Sequence, residues 1–152
     1  DHNLLADTNR LLDLAALSVG APRDVEITAR HRGLKQARLR AVKADLRISA
    51  WHGDTSLSWL AKRHGVSPSY IRAMFEQEGQ RFTDYVLTLR LERVFKCLSS
   101  PAQAHKKVAD IVYDAGFNNS SWFYRAFKRR FGLTPGEVRE LATSSRPAEA
   151  SV

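Results

Sequence analysis

The chain has 152 residues, 43% hydrophobic and 26% charged, which is room for one ordinary domain or two small lobes and excludes a disordered tail. Lysine and arginine outnumber aspartate and glutamate by 24 to 16, and the resulting charge of +8 favours phosphate or an anionic membrane surface as partner. The single cysteine, Cys97, excludes an internal disulfide framework and a multi-cysteine zinc site, and it fits a reducing cytoplasm. No apolar run approaches the roughly 18 residues of a membrane span, and no secretory leader opens the chain. It begins without methionine, directly in a helix-like sequence, and reads as the C-terminal piece of something longer.

In chain order, Asn3 to Val19 form a leucine-rich helical pattern stopped by Gly20-Ala21-Pro22. Its apolar stripe is wide and needs another surface: an upstream domain, a second copy, or the lobes that follow. Residues 23–33 are charged and mixed, and read as a connector. A helix of about fifteen residues is expected from Leu34 to Ala50. Gly53 to Ser56 then supply a turn and an N-cap for a helix starting at Leu57, and Ser67-Pro68 starts another that ends at Gly79. Thr83 to Leu98 carry apolar residues on two faces, as a helix buried between two bodies does, with Glu92 and Lys96 as an exposed pair one turn apart. At 1.5 Å per residue that helix is a rigid spacer of about 24 Å. Ser99 to Pro101 end it. A further helical pair starts near Lys107 and turns at Gly116, its second helix running to Phe131. Thr134 to Glu137 form a capping box that launches a last helix to Thr143.

Two stretches share one plan, Leu57–Phe75 and Val108–Phe127. In each, a short amphipathic helix meets a glycine (Gly65, Gly116), one apolar residue and a polar cluster, and a second helix follows. These are helix-turn-helix units, whose second helix is placed for the major groove of DNA. Ala61 marks the close helix crossing of the first. Val112 takes that position in the second and should widen the crossing, and the second turn is one residue longer. The fold class is therefore all-α: two helix-turn-helix subdomains joined by a long linker helix, with an extra N-terminal helix. The expected division is 1–33 for that helix and connector, as the end of an upstream effector or dimerisation domain, then 34–81 for the first lobe. The linker helix takes 82–99, the second lobe 100–143 and a frayed tail 144–152.

Removing the core positions leaves the outward faces. On the second recognition helix Ser120, Ser121, Tyr124, Arg125 and Lys128 share a stripe on which every side chain donates hydrogen bonds and none is acidic, the composition of a base- or phosphate-contacting face. On the first, the stripe is Ser69, Arg72, Ala73 and Glu76, with Arg72 the convincing base reader. Lys62, Arg63, Arg81, Asn119, Lys128 and Arg129 are candidate backbone contacts. Trp122 lies between core and groove faces. His2, His31, His52, His64 and His105 lack ligand spacing with one another or with Cys97, so no metal, cofactor or catalytic residue is expected. Two rivals remain: a helical protein-interaction module without specific DNA readout, and a DNA-repair enzyme. The first predicts mixed charge on the second stripe; the second needs an activated cysteine, which Cys97, inside an apolar helix, does not provide.

Lys107 to Arg139 closely resemble the signature of the AraC/XylS family of bacterial transcription regulators, most specifically at Gly116-Phe117, at Phe127-Lys128-Arg129-Arg130-Phe131-Gly132, and at Thr134-Pro135 followed by Arg139. Tyr85 through Arg90-Leu91-Glu92-Arg93 resembles that family's linker helix. The resemblance covers about residues 34 to 142 and implies two lobes binding adjacent major grooves of double-stranded DNA. The family's base-contacting positions fall on Ser69, Arg72, Ala73, Ser120, Ser121, Tyr124 and Arg125. It further implies an activator that helps recruit RNA polymerase, controlled by a small molecule held in an upstream domain. Dimerisation would run through that domain or the Asn3–Val19 helix.

Overall fold

The computed structural model describes residues 23–144, and among them it has seven α-helices, one 3-10 turn and no strand. In chain order the helices are α1 (Arg23–His52), α2 (Leu57–His64), α3 (Pro68–Gln77), α4 (Phe82–Ser99), α5 (Val108–Asp114), α6 (Ser120–Phe131) and α7 (Pro135–Ser144), with the 3-10 turn at Pro101–Gln103 between α4 and α5. The helix expected over Asn3–Val19 and the tail after Ser144 lie outside the described residues.

The first correction concerns residues 23–33. They are not a connector but the opening of α1, which runs 30 residues where about fifteen were expected. Pro22 precedes the helix and no proline interrupts it, while Glu26 and Arg30 close an i,i+4 ion pair at 3.0 Å. Mixed charge without an apolar stripe looks like a loop in sequence, yet Arg23, Glu26, Ala29, Arg30 and Arg32 are good helix formers. The chain divides into two compact units, 1–44 and 45–152.

In the second unit each helix has a local cause. The Ser56 hydroxyl accepts from the Trp59 N–H at 3.2 Å to cap α2, and Gly65, at φ +63°, ends it. Ser67 caps α3 through the Tyr70 N–H at 3.1 Å, with Pro68 in the first turn. Leu46, Leu60, Ile71 and Phe75 are fully buried around this pair. Phe75 also meets Phe82 and Tyr85 of α4, at centroid distances of 5.5 and 5.4 Å. Burial there pushes the Tyr85 phenol above its ordinary pKa.

The other side of α4 packs against α5 and α7. Leu91, Val94 and Leu98 share one core with Ile111, Phe123, Phe127 and Val138. Phe123 and Phe127 are fully buried, and each such ring contributes about 1.5–3 kcal/mol by leaving water. The capping box forms as the sequence indicates: Thr134 N–H donates to Glu137 at 2.6 Å and Glu137 N–H donates to the Thr134 hydroxyl at 3.3 Å. Those bonds from Thr134 hold the Glu137 carboxyl below the usual glutamate range.

A second correction concerns α4. Glu92 does not pair with Lys96; it accepts from Arg130 of α6 at 3.3 Å, and the Lys96 ammonium lies 5.6 Å from the centre of the Trp51 ring. A partner on another helix and an aromatic face outcompete an exposed pair of this kind, which is worth a few tenths of a kcal/mol.

Candidate nucleic-acid interface

Both inter-helix turns are built alike. In the first, the Val66 N–H donates back to the Ala61 carbonyl at 3.0 Å; in the second, the Phe117 N–H donates to the Val112 carbonyl at 3.3 Å. Gly65 and Gly116 both take left-handed backbone, at φ +63° and +86°. Val112 is buried in the position of Ala61, so the larger side chain is absorbed into the core without loss of the turn. The extra residue in the second turn places Asn119 as N-cap of α6, its Oδ1 accepting from the Trp122 N–H at 2.8 Å.

Below each recognition helix lies apolar core, and above it lies a polar face. On α6 Phe123, Ala126 and Phe127 are buried, while Ser120, Ser121, Tyr124, Arg125 and Lys128 are all exposed. The helix also carries Arg129 and Arg130 and no acidic residue, and its last turn holds Lys128, Arg129 and Arg130, where positive charge suits the helix dipole. On α3 Ile71, Met74 and Phe75 are buried while Ser69, Arg72, Ala73 and Glu76 are exposed. Trp122 is 42% exposed and its ring centre is 6.0 Å from that of Phe117, so it lies at the edge of the core beside the polar face.

The candidate backbone contacts divide. Lys62, Arg81, Asn119, Lys128 and Arg129 are exposed. Arg63 is exposed too, but Asp45 holds it through Nε at 2.7 Å and Nη2 at 3.2 Å, and His64 lies 2.9 Å from the same carboxylate. Cys97 is half-buried against the second core.

Three arginines whose roles the sequence reading left unassigned do structural work around this interface. Arg93 donates to the Ala50 carbonyl at 2.9 Å and ties α4 to the end of α1. Arg139 of α7 donates to the Lys106 and Gln103 carbonyls ahead of α5. Arg90 donates to the Thr55 hydroxyl at 2.9 Å and to the Gly116 carbonyl at 3.4 Å. Their targets are mostly backbone oxygens, which carry no side-chain signature.

Two helix-turn-helix units on one all-α scaffold, with a basic donor face on α6, define a helix-turn-helix DNA-binding protein. A family model described as a helix-turn-helix domain matches residues 60–141. The transcriptional activator RhrA of Rhizobium meliloti is 30% identical over 108 residues, 71% of this chain and 34% of RhrA. Two solved structures share the fold. A DNA-binding transcriptional dual regulator from Escherichia coli K-12 has TM-score 0.59 and 18% identity, covering 70% of this chain and 93% of that one. The C-terminal domain of AraT, a response regulator from Geobacillus stearothermophilus, has TM-score 0.57 and 23% identity, covering 76% and 91%. The chain belongs to the helix-turn-helix family of AraC/XylS-type transcription regulators. This class of transcription regulator binds DNA in a sequence-specific manner. The chain spans about a third of the length of RhrA.

Proposed function

We propose that α3 and α6 enter adjacent major grooves on one face of a DNA duplex. Arg72 and Arg125 read guanine, each presenting a fork of donors to O6 and N7. Ser69, Ala73, Ser120, Ser121 and Tyr124 complete the base-facing surfaces. Lys62, Arg81, Asn119, Lys128 and Arg129 hold the phosphates. Arg63 is left out of that set because Asp45 already holds it.

The observation that carries this reading is the α6 face, exposed, rich in donors and free of carboxylates, on a helix whose opposite face is fully buried. A phosphate surface is attracted to such a face, and a mixed-charge protein partner would not select it. The length of α4 agrees. Its 18 residues span about 27 Å, and the recognition helices lie off its two sides, compatible with one duplex turn of roughly 34 Å.

The regulator is an activator, the word that the name of RhrA uses for that relative, and it acts by helping to recruit RNA polymerase. A small-molecule effector would act through an upstream domain, with homodimerisation through that domain or the Asn3–Val19 helix. A cytoplasmic location follows from the function, and no described helix is long and apolar enough to cross a membrane. The test is a binding selection followed by footprinting. Two contact patches per monomer, about 10 bp apart on one face, are expected. Equal, weak protection of every sequence would favour the interaction-module reading instead.

A further inference from the structure

The two helix-turn-helix pairs meet chiefly through α4: α3 packs on one part of it, α5 and α7 on another. Where the pairs face each other, a cleft of about 460 Å³ opens between Leu57 and Phe82 on one side and Phe117 and Trp122 on the other. Apolar packing therefore does not fix the angle between the pairs on that side. Arg90 crosses it. From α4 its Nη2 donates to the Thr55 hydroxyl at 2.9 Å, next to the Ser56 cap of α2, and its Nη1 lies 3.4 Å from the Gly116 carbonyl in the turn before α6. Thr55 is buried at 7% exposure, so its hydroxyl is held in place. Gly116 has no side chain, and a Cβ there would sit 3.3 Å from the Arg90 Cζ. The turn and the guanidinium are shaped to each other.

We infer that Arg90 is a positioning residue that sets the separation of the two half-sites by locking the first recognition unit to the turn of the second. Arg90 touches no base in this arrangement. It acts through Thr55 and Gly116 on where α3 and α6 stand. The inference rests on the reading that α3 and α6 occupy separate grooves.

The experiment uses a selected operator and versions with one base pair inserted or deleted between the half-sites, at fixed salt. One base pair moves a half-site by about 3.4 Å and turns it by roughly 35°. Wild-type protein should lose about tenfold or more in affinity on each altered spacing, since a displaced helix forfeits its base contacts. Arg90→Ala should flatten that profile, losing only about two- to threefold on altered spacings, while its preferred bases within each half-site stay unchanged. Thr55→Val, which keeps shape and removes the acceptor, should flatten it too, and Thr55→Ser should restore the steep profile. If Arg90→Ala does not fold, the Thr55 pair decides. Folded variants that bind more weakly at every spacing but keep the wild-type steepness overturn the inference, because Arg90 would then be merely structural. A flat profile in the wild type overturns the two-groove reading, and this inference with it.

Discussion

Asp45 accepts from both Nε and Nη2 of Arg63, at 2.7 and 3.2 Å, so a cation on α2 is neutralised by α1 before any DNA arrives. The Arg63 bonds are the first cause holding the Asp45 carboxyl below the usual aspartate range. A depressed folded pKa means that the contribution to stability is complete at neutral pH and fades as pH falls through the folded value. Thermal melts of wild type and Asp45→Asn should therefore differ at pH 7 and converge as pH drops below about 3.9, the ordinary aspartate value. A gap between the two proteins that stays constant with pH would show that the carboxylate charge is not what the variant removes.

Lys128 sits in the last turn of α6, exposed, on the donor stripe and proposed to hold a phosphate. A single phosphate contact releases about one counterion, so Lys128→Ala should lower the slope of log K against log salt by roughly 0.9. Affinity for random DNA should fall in the same proportion as for the operator, since phosphates carry no sequence information. Titrations at several salt concentrations read both quantities, and an unchanged slope would take Lys128 off the backbone.

The two helix-turn-helix units were legible because steric rules leave a trace in sequence. Gly65 and Gly116 mark left-handed turns, Ser67-Pro68 marks a helix start, and the spacing of Phe123, Ala126 and Phe127 marks a buried face. Outward faces followed by subtraction, and all seven proposed base-facing residues are exposed. Residues 23–33 were misread because a solvated helix without an apolar stripe has the composition of a loop. The links made by Arg63, Arg90, Arg93 and Arg130 were out of reach for a different reason. Each joins residues 18 to 43 positions apart, and an arginine's partner is set by tertiary geometry that no local pattern encodes.

The same glycine turn should respond differently to a methyl group in the two units. At Gly65 a Cβ meets nothing within 4 Å, so Gly65→Ala should cost only the left-handed strain, about 1–2 kcal/mol. At Gly116 the strain is similar, but the Cβ also reaches 3.3 Å from the Arg90 Cζ and presses on a side chain held by Thr55. Gly116→Ala should therefore destabilise more than Gly65→Ala in urea unfolding. The reverse order would mean that Arg90 moves aside freely and that its bonds are weak.

The recognition faces predict unequal roles for the two units. Arg72 and Arg125 are both exposed, and among the described residues neither is held by another side chain. Each is therefore available to pair with guanine, and replacing either by alanine should cost about 1–3 kcal/mol on the operator and relax the preference at one base pair. Around Arg125 stand Ser120, Ser121, Tyr124 and Lys128, all donors; around Arg72 stand Ser69, Ala73 and the acidic Glu76. Fewer donors mean fewer base pairs discriminated, so selection with Arg72→Ala should leave most of the consensus intact, while Arg125→Ala should degrade the half-site read by α6. Circular dichroism should show both variants folded, because neither side chain contributes to the buried core. If both folded variants select the wild-type consensus with wild-type affinity, these faces do not read the bases and the reading surface lies elsewhere on the chain.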